Sequence, residues 1–173
     1  MASQNEFLCA RCARQGKTCC QGREIYLSPE DVARIAAITG HRLFFDWELP
    51  QDPSYLDQND DPVWQRHVFR SDGRRRTLSR TATGDCFFLG DTGCRLPLET
   101  RPLVCRLHPF SYTAAGIAAD LEQGCPENLL PPGVTVLSAL QMSTVQAWGW
   151  HHSLYEEVSR DDPDSGTDLR SAF

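Results

Sequence analysis

Four of the eight cysteines in this 173-residue chain fall within one short stretch, as Cys9-x2-Cys12-x6-Cys19-Cys20. The other four, Cys86, Cys94, Cys105 and Cys125, lie far along the chain. Between the first four stand Arg11, Arg14, Gln15, Gly16 and Lys17, with no apolar periodicity. The segment reads as a loop that something other than an apolar core must order. An even cysteine count also fits disulfides, but disulfide frameworks belong to short secreted chains. The opening residues Met1 to Leu8 carry neither a basic region nor the apolar run of a secretory signal. The expectation is a cytoplasmic protein whose thiols are metal ligands; four structural disulfides are the competing reading.

Thiolates are soft donors that favour zinc, Cu(I) and iron–sulfur clusters. A tetrahedral zinc site commonly uses two Cys-x2-Cys pairs, and here Cys9 and Cys12 form the only one. Adjacent residues in extended backbone point to opposite faces. Cys19 and Cys20 are therefore expected to serve two sites, or separate irons of a larger cluster. Cys125-Pro126 echoes cluster-binding sequences, in which a ligand cysteine precedes proline. The set leans towards iron, with a 4Fe–4S cluster as the expected cofactor and Zn2+ as the alternative.

The rest of the chain predicts a small, irregular α+β single domain with short β-hairpins, two main helices and a cysteine-bound metal centre. Ser28, Pro29 and Asp31 mark a capped helix start, Val32, Ile35, Ala36 and Ile38 give its apolar stripe, and Gly40 stops it. Residues 44–61 read as irregular. Residues 64–78 read as short strands around Asp72-Gly73, with Arg74-Arg75-Arg76 a solvated stretch beside that turn. Two further hairpins are predicted, one flanked by Cys86 and Cys94 and one around Gly116, with a short helix at 101–106 between them. A last helix is predicted over 134–159, with Leu137, Leu140, Val145, Trp148, His152 and Tyr155 on one face. Residues 1–159 form the expected domain, and 160–173, rich in Asp, Ser and Gly, an expected disordered tail.

The sequence resembles the YkgJ-type CxxCxxCC cysteine-cluster family. The residues that carry the likeness are Cys9-x2-Cys12, Cys19-Cys20, Cys86-Phe87-Phe88-Leu89, Gly93-Cys94, Arg101-Pro102-Leu103-Val104-Cys105-Arg106, Pro109-Phe110 and Cys125-Pro126. The Arg-Pro-x2-Cys-Arg-x2-Pro element is the most specific. The first cluster is looser than in many relatives, with six residues rather than about three between its second and third cysteines. The resemblance implies zinc or iron chelation and makes all eight cysteines ligand candidates. It also gives Arg101 and Arg106 a role as N–H donors to thiolate or sulfide, against the plainer reading of surface salt bridges. His108 is read as a structural imidazole, and His151 and His152 as packing or surface residues.

A net charge of −6 excludes general binding to a nucleic-acid backbone. No apolar run approaches the roughly 20 residues that span a bilayer. The leading reading is an iron–sulfur protein, a redox or cofactor-bearing module with metal ions and a redox or other protein partner. A structural zinc module is the first alternative. The second is an enzyme akin to flagellin lysine N-methylase, a relative within the family; the chain has no glycine-rich cofactor turn and no Cys-x3-Cys-x2-Cys motif to support it.

Overall fold

The computed structural model describes residues 8–15, 19–57, 59–122 and 125–165. Its described part is a mixture of short helices and three two-stranded antiparallel sheets, as expected of a small α+β protein. The 28–40 reading holds. Helix α2 (Pro29–Thr39), the second in the chain, has a full capping box between Ser28 and Asp31 and ends on left-handed Gly40. Val32, Ile35 and Ala36 are buried, whereas Ile38 points outward.

Other local expectations are corrected. The first cysteines lie on a helix, α1 (Leu8–Arg14), that buries Leu8, Ala10 and Cys12. Part of the "irregular" stretch is β1 (Phe45–Glu48), and the start of the supposed strands is helix α3 (Pro62–Val68), capped by Asp61. The partner of β1 is β2 (Arg75–Leu78). The arginine run is not solvated, since Arg75 and Arg76 are 1% and 3% exposed. Alternate strand residues face opposite sides, and both sides of β2 are covered. Arg75 pairs with Glu24 at 2.8 Å and lies over the Tyr55 ring. Arg76 pairs with Asp161 at 3.0 Å, donates to the Leu27 carbonyl at 2.8 Å and lies over the Trp47 ring.

The predicted hairpins form as β3 (Leu89–Gly90) with β4 (Gly93–Cys94), and β5 (Phe110–Thr113) with β6 (Gly116–Leu121). Cys94 stands opposite Leu89 rather than Cys86. Between the hairpins runs α4 (Leu103–Leu107). The last predicted helix is two: α5 (Val136–Ala139) and α6 (Thr144–Arg160), the latter started by a Ser143–Gln146 capping box. Its buried face is Ala147, His151, Leu154, Glu157 and Val158, while Val145 and Trp148 are exposed. The predicted tail begins too early. Asp161 is buried, accepts from the Tyr26 hydroxyl and pairs with Arg76, and Asp164 accepts from the Ser71 N–H. Residues 166–173 of that tail lie outside the described residues.

Two apolar clusters meet at α4. Leu103 and Leu107 join Tyr26, Trp64, Val68, Leu154 and Val158 in one. Cys105 faces the other, built on Leu27, Ile35, Phe44, Phe45 and Phe88, and Val104 touches both. A polar tie fixes this wall: buried Asp31 accepts from the Leu103 N–H at 3.1 Å, and Arg34 pairs with both Asp31 and Glu157 of α6. Removing one partner of a buried ion pair costs about 3–5 kcal/mol, because the other charge is left dry and unpaired. Arg76→Ala is therefore expected to destabilise the fold on that scale. Arg74→Ala, half-exposed and only 3.8 Å from Asp72, should change stability by less than about 0.5 kcal/mol. Urea unfolding of the two variants checks the contrast; equal midpoints would contradict the buried pairing.

Candidate metal centre

Each cysteine is placed by a different local device. On α1 the three-residue spacing puts Cys9 and Cys12 on one helical face. The helix packs on β4 at Gly93, whose φ of +100° is the conformation that favours glycine. Cys19 and Cys20 sit in a turn. There the Cys19 thiol donates to Cys20 and the Cys20 thiol to Cys86. The backbone supports this, since the Cys86 N–H donates to the Cys20 carbonyl at 2.7 Å and Gln21 bridges Asp85. Cys105 enters from α4, and Cys125 precedes the Glu127–Leu129 turn, against which α1 also packs.

None of the eight is in a disulfide. They form one continuous electrostatic neighbourhood: Cys9 feels Cys19, Cys125 and Cys12, Cys20 feels Cys86 and Cys94, and Cys105 feels Cys20, Cys19 and Cys94. Thus thiols of residues 9–20 meet those of residues 86–125. Among the described residues, no three His, Cys, Asp or Glu side chains are already arranged to hold one ion.

The surroundings oppose ionisation. Burial, then the Cys19 charge, pushes Cys9 up to about 12, against the pull of Arg101. At Cys20 the bond accepted from Cys19 favours the thiolate. The bond donated to Cys86 and burial outweigh it, and the thiol rises to about 12. Burial and Cys19 raise Cys125 to about 11, and burial and Cys19 raise Cys12. Cys19 is raised by its bond to Cys20 and by burial, and Cys105 by burial and the thiols around it.

The donor set fits a soft metal or cluster: crowded thiols that resist charge on their own are stabilised as thiolates by a cation. Cys86 already accepts an N–H bond from Phe88 at 3.4 Å, the kind of contact that steadies a ligating sulfur. Arg101 stands beside Cys9 and braces the Leu96 carbonyl at 3.0 Å. Arg106 donates to the carbonyls of Arg101 and Glu99, so it holds the segment that carries Arg101 rather than a surface carboxylate.

One neighbour, Arg23, was not singled out by the sequence, and it stands beside His108, which was read as a structural imidazole. His108 is partly buried, with Nε2 3.8 Å from the Cys125 sulfur and Nδ1 3.7 Å from Glu122, and desolvation and Arg23 lower its pKa. Arg23 favours the charged forms of Cys19 and Cys125 while pairing with Glu122 at 3.0 Å. The position of Arg23, three residues after Cys20, was the one available signal. His151 packs as expected, hydrogen-bonded to the Thr113 carbonyl at 2.8 Å.

The chain is thus a small α+β protein that gathers cysteines from two distant stretches into one thiol-rich site. It belongs to the CxxCxxCC family, described as "Putative zinc- or iron-chelating domain", whose model matches residues 8–126. That match includes all eight cysteines and stops before α5 and α6. No curated protein and no solved structure matches the chain.

A ligating cysteine must be a thiolate. Because Cys9, Cys12, Cys19, Cys20, Cys105 and Cys125 are all pushed up and so held protonated at neutral pH, metal uptake should release protons, and affinity should rise with pH through the neutral range. A pH-indicator titration with Zn2+ checks this, and uptake without proton release would contradict the buried thiols as ligands.

Proposed function

We propose that the protein binds an iron–sulfur cluster, of the 4Fe–4S type, through its cysteines and acts as a redox or cofactor-bearing module. The observation that carries this reading is the meeting of α1 and the 19–20 turn with Cys86, Cys94, Cys105 and Cys125, in spacings unlike paired zinc knuckles. When bound, such a cluster supplies one-electron chemistry. The chain's own part is to hold the thiolates, donate the Phe88 N–H to a sulfur and set Arg101 and Arg23 beside them.

A cytoplasmic location belongs to this reading, since eight cysteines outside any disulfide suit a reducing compartment. A protein redox partner belongs to it as well. Among the described residues no helix is long and apolar enough to cross a membrane.

Anaerobic isolation tests the proposal. The expected product is coloured, contains iron and acid-labile sulfide in matching amounts, and bleaches on reduction. A colourless protein fully loaded with zinc would replace the cluster by a structural zinc site, and a folded protein without metal would remove both. Cys105→Ser should lower metal content and solubility together, because Cys105 sits among thiols at the core boundary. Unchanged metal content and melting in that variant would contradict its place in the site.

A further inference from the structure

The eight thiols are not equivalent in their surroundings. Cys86 belongs to the apolar core beneath α2 and β1, and Cys20, Cys94 and Cys105 pack against that same core. The backbone locks this group together. Cys20 and Cys86 are joined through the Cys20 carbonyl, and the β3–β4 pair carries Cys94 back alongside Phe88, whose carbonyl accepts from the Arg95 N–H at 2.9 Å.

Cys9 and Cys12 share a face of α1, and α1 packs against the turn that follows Cys125. For Cys9, Cys12 and Cys125 alike, the strongest thiol neighbour is Cys19. For Cys105 it is Cys20, with Cys19 second. The vicinal pair therefore stands at the junction of two groups of four, and each group has its own supporting contacts. Arg101 and Arg23 lie beside Cys9, Cys19 and Cys125, and the Phe88 N–H serves Cys86.

Coordination number agrees. A tetrahedral zinc or iron ion takes four thiolates, and so does an iron–sulfur cluster. Eight thiolates round a single dication would leave a large uncompensated negative charge in a half-dry site, whereas two groups of four leave each centre with far less.

We propose that the cysteines divide into two separate four-thiolate sites, an inner one of Cys20, Cys86, Cys94 and Cys105 and an outer one of Cys9, Cys12, Cys19 and Cys125, each with its own iron or zinc centre. This rests on the metal-binding reading above and adds the number of centres and the ligands of each. The peptide between Cys19 and Cys20 joins the two sites. The inner site is built into the core, and the outer site depends on α1 and the Cys125 segment staying docked.

Cobalt(II) alone is the probe, titrated anaerobically into the reduced full-length protein and followed by thiolate-to-cobalt charge-transfer absorption. The wild-type chain should take up two equivalents. Cys9→Ser/Cys12→Ser and, separately, Cys125→Ser should each take up one, with the circular dichroism of the fold retained. Cys94→Ser should also take up one, at the outer site. If the wild-type chain saturates at one equivalent, or the outer variants lose all cobalt, or they keep two equivalents, the division into two sites is wrong. Cobalt bound in any of those patterns leaves the metal-binding reading standing. A wild-type chain that binds no cobalt removes both.

Discussion

Thiols crowded out of water resist becoming thiolates, and the architecture around Cys105 sets that condition. Cys105 is carried by α4 against the apolar cluster built on Leu27, Ile35, Phe44 and Phe88, where the thiols of residues 19, 20 and 94 are its neighbours. The Cys105 thiolate would stand there in a poorly screened setting beside other thiols. A soft cation reverses every part of that balance at once: it supplies the missing charge, and each sulfur it binds ceases to repel the next. The same crowding that opposes ionisation in the free protein therefore favours metal in the loaded one.

Such a site needs a rigid frame, because sulfurs from α1, a turn, a hairpin and α4 must be held against one another before anything binds. The frame is polar as much as apolar. Asp31 accepts from both the Ser28 and Leu103 N–H groups, which ties the start of α2 to the start of α4. Arg34 links Asp31 to Glu157, and Ser28 donates to Glu157, so α6 joins the same knot. On the other side, Arg76 and Asp161 close the end of α6 over β2. These groups lie outside the thiol site yet set the position of α4, and through it Cys105. The family match ends at residue 126, whereas the frame draws on Glu157 and Asp161. The C-terminal helix is thus a structural support for a site made elsewhere.

How much of this could be read from the sequence depended on how local the governing physics was. The α2 cap, the hairpin around Gly116 and the short helix after Pro102 are written in turn and capping residues, and all three form. The gathering of the cysteines was legible because thiols in such numbers need a common reason. The errors arose where tertiary contacts overrode local pattern. Arg74-Arg75-Arg76 looked like a solvated run because nothing local announced Glu24, Asp161 and the rings of Tyr55 and Trp47 as partners. The stretch 134–159 looked like one helix because Ser143 and Gln146, a capping box, were read through as helix interior. The nearness of His108 to Cys125 is likewise made by tertiary folding, since no spacing in the sequence announces it.

The helical state of residues 8–14 changes what a metal has to accomplish. Taken as a loop, the first cysteines would have had nothing except metal–sulfur bonds to order them. As α1, they come with Leu8 and Ala10 buried and with β4 packed against the helix. Burying a leucine contributes about 1.5–3 kcal/mol, a real but small hold for a seven-residue helix. An isolated helix that short is not stable in water. Docking and metal binding are then mutually reinforcing: the packed helix presents Cys9 and Cys12 on one face at modest entropic cost, and a centre shared with Cys125 would fasten the helix to the far end of the matched region. Cys20, Cys86, Cys94 and Cys105 stand in a different relation to the fold, because they belong to or pack against the apolar core built on Leu27, Ile35, Phe44 and Phe88.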